Sequence, residues 1–150
     1  NIEIINIDDE IEKRELEEND SLRSPRFNAH LLDRLGEKHC VLCDCGISEV
    51  IQGAHIWPVS EIKKTNMLSL DEKLAYATDG ENGLWMCQNH HKMFDSNIIR
   101  LSSLGEVLYK KDLNDRDKDY IDSITTIKKL PNTMVTPSYI KYISKRYGTI

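Results

Sequence analysis

Apolar positions along the chain change their period several times, and each change marks an element. Asn1–Ile7 alternates polar and apolar residues as a short strand does, and Glu10–Asn19 predicts an acidic helix or linker. Phe27, Leu31 and Leu35 recur every four residues, so residues 25–36 predict a helix with one apolar face. Ser24-Pro25 gives it a cap and a proline at the first helical position, and Gly36 stands where a terminating glycine belongs. Val50 to Trp57 predicts a strand, stopped by Pro58. Ser69-Leu-Asp-Glu72 has capping-box spacing and opens a helix to about Thr78. Asp79-Gly80 and Asn82-Gly83 predict turns. A helix is expected from Cys87 to Phe94 or beyond, followed by a hairpin of Ile98–Leu101 and Val107–Lys111 around Ser102–Gly105. Residues 116–129 and Pro137–Arg146 predict two more helices. The second starts at Thr136-Pro137 and turns Tyr139, Ile140 and Ile143 inward.

Composition narrows the class. A chain of 150 residues is one domain large enough to bury a real core. No run approaches the ~20 apolar residues of a membrane span, so no membrane partner is expected. The net charge of −5 is unevenly spread. Residues 1–20 hold nine acidic side chains against Lys13 and Arg14, which leaves residues 21–150 with 18 basic and 16 acidic groups. The expected layout is therefore an acidic leader or linker at 1–20 and a domain at 21–150, with its core at about 38–111 and C-terminal helices at 112–150. The leader reads as a solvated linker in preference to a mask over a cationic face. Asn1 in place of a methionine suits a fragment of a longer protein, with a specificity or sensor domain outside this chain.

Four cysteines could form two disulfides, but their spacing favours metal in a reducing, bacterial cytoplasm. Cys40-Val-Leu-Cys43 and Cys87-Gln-Asn-His90 are two short-range ligand pairs far apart in sequence. A tetrahedral zinc ion needs four thiolate or imidazole donors, and two such pairs supply them with only tight local turns. Cys45 is then spare, a small buried thiol. His55, Asn82 and His91 remain, in the order His, Asn, His.

The segments Gly53-Ala-His55-Ile-Trp-Pro58, Glu81-Asn82-Gly-Leu-Trp-Met-Cys87 and His90-His91-Lys-Met-Phe-Asp95 carry a resemblance. Over roughly residues 24–110 the chain resembles the HNH (ββα-metal) endonuclease family, in its zinc-stapled branch found in bacterial restriction and defence enzymes. The resemblance implies an α+β fold with a ββα-metal core, a structural zinc and flanking helices. It implies a metal-dependent DNA endonuclease, the cleavage module of a restriction or anti-phage protein, with Zn²⁺ as structural ion and Mg²⁺ or a similar divalent ion in catalysis. At the family's positions, His55 is the general base, Asn82 holds the base loop, and His91 is the catalytic metal ligand. Asp95 lies four residues after His91 on the same helical face and can join it on a hard cation.

Two departures follow from the same alignment of motifs. Ala54 stands where many members place a further metal ligand, Asp or His. This keeps open the alternative of a catalytically inactive, zinc-stabilised nucleic-acid-binding or scaffold module. His90 stands where a fourth zinc-binding cysteine is common, so a Cys87/His91 zinc pairing is a rival assignment. Lys92, Lys63, Lys64, Arg100, Lys110 and Lys111 are the candidate DNA contacts. Double-strand cleavage needs two active sites, so a homodimer is inferred as a partner state.

Overall fold

The computed structural model describes residues 11–17 and 25–148. The expected strand at Asn1–Ile7 and the Ser24 cap lie outside these residues. Of the acidic leader, residues 11–17 are helical (α1). This helix is docked on the domain, with Leu16 buried and the carboxylate of buried Glu12 accepting from Arg26 Nε at 2.9 Å.

Helix α2 spans Pro25–Leu35, and Gly36 ends it at φ +79° as the sequence predicts. Phe27 and Leu31 form its buried face. Strand β1 (Ile51–His55) is shorter than expected at both ends, although Ile56 N–H still donates to the Asn82 carbonyl at 3.0 Å. Helix α4 (Leu70–Thr78) carries both hydrogen bonds of the capping box, with Ser69 accepting from the Glu72 amide and Glu72 from the Ser69 amide. A short helix α3 (Val59–Lys64) precedes it, where no element was expected; Val59 and Ile62 bury its inner side.

The Asn82-Gly83 turn is not formed. Asn82 ends a 3₁₀ turn (Gly80–Asn82), and Gly83 is extended at φ −155°, the first residue of strand β2 (Gly83–Cys87). Every residue of β2 is buried, so it shows no polar/apolar alternation. It pairs antiparallel with β1 in a register that sets His55 opposite Gly83 and Ile51 opposite Cys87. Helix α5 (Gln88–Asp95) follows directly, with Cys87 as its cap residue. Strands β1 and β2 with α5 make the ββα unit. The hairpin of β3 (Ile99–Leu101) and β4 (Val107–Tyr109) adds a second small sheet.

Helix α6 (Asp115–Ile124) stops five residues before the expected end at 129. Residues 125–129 run extended instead: Ile127 N–H donates to the Leu42 carbonyl and Val107 N–H to the Lys128 carbonyl, at 3.1 and 2.9 Å. The β-branched run Thr125-Thr126-Ile127 suits this conformation better than a helix. Helix α7 (Pro137–Tyr147) starts at Thr136 as predicted. Its buried positions are Tyr139, Tyr142 and Ile143; Ile140 is exposed, against expectation. The inward stripe of this helix follows i, i+3, i+4 from Tyr139, and Ile140 falls outside it.

Helix α2 lies close on the β1–β2 sheet because two glycines sit beneath it. A Cβ at Gly53 would stand 2.8 Å from Leu31 Cδ1, and one at Gly83 would stand 2.5 Å from Phe27 Cζ. Arg34 fastens the same helix from its far end, donating to the carbonyls of Gly80 and Gly83. Gly83→Ala should therefore destabilise the fold by about 1–3 kcal/mol, the range for overpacking a filled core. Denaturant unfolding measures this, and an unchanged midpoint would mean that α2 is free to lift.

Candidate nuclease and metal sites

Two clusters of chemically active side chains flank the ββα unit. The first joins the loop before β1 to the β2–α5 junction. Cys40 and Cys43 lie in an irregular knuckle closed by the Cys40 amide on the Cys45 carbonyl at 2.9 Å. Cys87 ends β2, and His90 is in the first turn of α5. The donor atoms of these four residues all lie within 4.8 Å of one another. Cys87 Sγ and Cys40 Sγ are 3.2 and 3.7 Å from His90 Nδ1, and Cys43 Sγ is 3.9 Å from Cys87 Sγ. A tetrahedral ion with Zn–S near ~2.3 Å and Zn–N near ~2.0 Å has ligand atoms ~3.5–3.8 Å apart, so the donors already stand near the corners that zinc requires.

His90 is held for this task. Its Nε2 is 2.8 Å from the Thr125 hydroxyl, which turns Nδ1 toward the sulfurs. Burial, aided by the charge of Lys128, lowers its pKa and keeps the ring neutral. Burial also raises the Cys40 thiol and pushes Cys43 up to about 12. Three thiols packed on an imidazole without counter-charge suit a divalent soft cation that displaces their protons. His91 is not in the cluster, so the geometry favours His90 over the Cys87/His91 rival. Cys45 stays outside it and partly buried.

The second cluster lines a cleft of about 770 Å³ beside β1. His55, the last residue of β1, stacks on Phe27 with ring centroids 4.0 Å apart and planes at 8°. Its Nε2 lies 2.8 Å from the Ala77 carbonyl. A carbonyl oxygen only accepts, so Nε2 carries the proton and Nδ1 is left with a bare lone pair. Burial pulls the His55 pKa down to about 4, against a smaller upward pull from the Ala77 carbonyl. The ring is therefore neutral across the physiological range.

Asn82 is fully buried behind this histidine. Its Oδ1 accepts from Trp57 N–H at 2.7 Å, and Nδ2 donates to the carbonyls of Trp57 and Tyr76 at 3.2 and 3.1 Å. One amide thus clamps the loop after β1 to the end of α4. It makes no plain Asn-Gly turn.

His91 and Asp95 share the cleft, one helical turn apart on α5. His91 Nε2 is 3.1 Å from Asp95 Oδ2, and His91 Nδ1 is 2.7 Å from Gln52 Oε1. With Nδ1–H donating to Gln52, Nε2 and the carboxylate are two acceptors facing one another. That contact is stable only with a proton or a cation between them. Neighbouring sites on an octahedral ion with ~2.1 Å bonds are ~3.0 Å apart, so the pair also fits a hard divalent ion. Ala54 is buried and offers no donor. Gln52, two residues earlier and on the same face of β1, is the strand residue that reaches His91.

Residues 40–101 match a protein-family model described as HNH endonuclease. Over this segment the chain is similar to HNH endonucleases. Among curated proteins, none matches the chain. The domain is of mixed class, with helices around small antiparallel sheets, and its Cys₃His group is compatible with a zinc site. Its family implies a nucleic-acid substrate and a divalent metal. Among the described residues, no helix is long and apolar enough to cross a membrane.

The structure distributes the expected contacts to nucleic acid unevenly. Lys92 is exposed beside His91 on α5. Lys63 donates to the Glu17 carbonyl of α1 at 3.4 Å, Lys64 pairs weakly with Glu61 at 3.9 Å, and Arg100 stacks on Tyr147 at 4.2 Å. None of these lines the cleft of the HNH domain; its cations are Lys38 and Arg146. Sequence reading missed both, together with Phe27 under His55, Gln52 on His91 and Thr125 on His90. Phe27 was foreseen only as a core position. The other residues have no motif, because their roles come from contacts with partners 35 to 91 positions away.

Two outcomes follow. The purified chain should hold one zinc, and Cys43→Ser should lose it with most of the fold, because structural zinc is worth ~10–16 kcal/mol in small metallo-domains against a total stability of ~5–15 kcal/mol. Cys45→Ser should keep both; elemental analysis with circular dichroism decides, and a zinc-free folded protein would contradict the assignment. The second concerns pH. Protonation of His55 Nδ1 abolishes its capacity as a base, and its depressed pKa moves that loss toward acid. Cleavage should therefore persist from neutral pH to about pH 5 and fall through about pH 4, not near the ordinary ~6.5. A pH–rate profile with zinc content checked at each point reads this, and a midpoint at 6.5 would refute it.

Proposed function

We propose that this chain is a metal-dependent DNA endonuclease in which His55 is the general base and His91 with Asp95 holds the catalytic ion. The observation that carries this reading is the contact of His55 Nε2 with the Ala77 carbonyl, from which the tautomer is inferred. Its Nε2–H is committed to the Ala77 carbonyl, and its free Nδ1 shares a cleft with the His91–Asp95 pair. A neutral imidazole so oriented can only accept a proton there.

In this mechanism, a water in the cleft attacks the phosphorus of a phosphodiester. Its oxygen bonds to phosphorus while its proton passes to His55 Nδ1. The opposite P–O bond breaks, and the leaving oxygen takes a proton from solvent. His91 and Asp95 would hold a divalent ion, which would supply positive charge to the phosphate oxygens and the leaving oxygen. Asn82 acts as a positioning residue, since its amide fixes the backbone just after His55. Gln52 plays the same part for His91. Cys40, Cys43, Cys87 and His90 hold the structural zinc. Mg²⁺ suits the catalytic position, because with Ala54 offering no donor most of the shell is left to water and substrate oxygens. The resemblance to zinc-stapled restriction and anti-phage enzymes supports a role as the cleavage module of such a protein, with Lys92 beside the metal pair as a backbone contact.

The test is plasmid cleavage against Mg²⁺ concentration, with EDTA as control. His55→Ala should still bind DNA and Mg²⁺ while cutting falls by roughly 10²–10⁴-fold. His91→Ala should keep zinc and fold, and its residual activity should rise with Mg²⁺; Asp95→Asn should do the same more mildly. Full activity in His55→Ala would sink the assignment, and a wild-type chain that binds but never cuts would favour the inactive zinc-stabilised module.

A further inference from the structure

Arg146 lies in the last turn of α7, well outside the segment that matches the HNH family, yet it lines the cleft with His55, His91 and Asp95. Its guanidinium joins the two elements that carry those residues. Nη1 donates to the carbonyls of Ile56 at 3.0 Å and His55 at 3.5 Å, at the end of β1. Nη2 donates to the Phe94 carbonyl at 2.6 Å and approaches Asn97 Oδ1 at 3.4 Å, at the end of α5. The plane of the cation rests 3.8 Å from the Phe94 ring centre.

These acceptors explain why an arginine stands here. The Phe94 carbonyl, which also accepts from the Asn97 amide at 3.1 Å, is among the last of α5 and carries the negative end of its dipole. The His55 and Ile56 carbonyls lie at the end of β1. A planar fork of donors satisfies both groups at once; an ammonium on a flexible stem cannot span them. Among the described residues no ion pair joins Arg146 to a carboxylate, and its Nε is buried with no hydrogen-bond partner. A salt bridge is therefore not what holds the side chain in place. Its donors go to backbone carbonyls at the base of the cleft.

We infer that Arg146 is a positioning residue of the nuclease, the brace that sets His55 Nδ1 at its working distance from the His91–Asp95 pair, so that α7 completes the active site from outside the family core. The inference rests on the functional reading above. Base and metal ligand stand on different elements, and the covalent path between them runs through α3, α4 and β2. Arg146 adds a short physical link at the far end of both elements, beside the Gln52–His91 contact. A misplacement of about 1 Å between reacting groups costs on the order of 10²-fold in rate, and Arg146 is placed to prevent it.

The experiment compares wild type, His55→Ala, Arg146→Lys and Arg146→Ala in single-turnover cleavage of a DNA duplex, with zinc content and melting temperature measured on each. Arg146→Lys, which keeps the charge, should lose roughly 10–100-fold in the cleavage step with DNA affinity and zinc nearly unchanged. Added methylguanidinium should restore part of the rate to Arg146→Ala, by filling the space of the missing fork. Wild-type cleavage in Arg146→Lys, even with a lowered melting temperature, would overturn the inference and leave the residue a purely structural one. Weakened DNA affinity with an intact cleavage step would also overturn it, in favour of a phosphate contact. An inert wild type, or a fully active His55→Ala, would instead bring down the nuclease reading itself.

Discussion

Cys87 is where the constraints of this molecule meet. It is the last residue of β2, the residue from which α5 starts, and one of four donors drawn within 4.8 Å. Through it the knuckle at Cys40–Cys45 is bound to the sheet, and the sheet to the helix that carries His91 and Asp95. The knuckle adds a backbone bond of its own to β2, Val41 N–H on the Trp85 carbonyl at 3.0 Å. With the Gln52–His91 and Arg146–Phe94 contacts, these links set the exit angle of α5. The angle matters because the cleft lies between that helix and β1.

The two sides of the ββα unit divide the work by environment. On the cluster side, buried thiols and a neutral imidazole face each other with no counter-charge, which suits a tightly held soft cation. On the cleft side, a part-exposed imidazole and a carboxylate face solvent, which suits a hard ion that shares its shell with water and substrate. His90 and His91 are adjacent in sequence, yet successive helix positions are turned ~100° apart. They serve different faces of α5 for that reason. The same rotation removes the ambiguity between them that spacing alone leaves open.

His55 shows how packing sets reactivity. Gly53 and Gly83 let α2 descend onto the sheet, and this puts the Phe27 ring flat against the imidazole. Ala77, at the end of α4, presents its carbonyl to Nε2. Desolvation then holds the ring neutral, and the carbonyl decides which nitrogen is free. Asn82 and Arg146 fix the backbone on either side of the same corner, one from behind the loop and the other from α7.

Wherever the determining interaction is local, it was legible in the sequence. Capping of α4 by Ser69 and Glu72, termination of α2 at Gly36, initiation of α7 at Thr136-Pro137 and the pairing of Cys40 with Cys43 all lie within a few residues of backbone. Spacing named the four donors that the fold brings together, and the family resemblance pointed to His55 and His91, which line one cleft, and to Asn82. Strand β2 was missed because Gly-Leu-Trp-Met-Cys is buried on both faces and so shows no alternation. The end of α6 was misplaced because Thr125 is held by His90, and Lys128 by the β4 strand, contacts that local pattern does not encode. Ile140 pointed outward because burial of Tyr142 chose the face of α7. The free nitrogen of His55, the reach of Gln52 and the brace of Arg146 were decided only by tertiary structure. Each depends on atoms far apart in the chain whose approach is set by helix rotation, by sheet register and by two glycines beneath one helix.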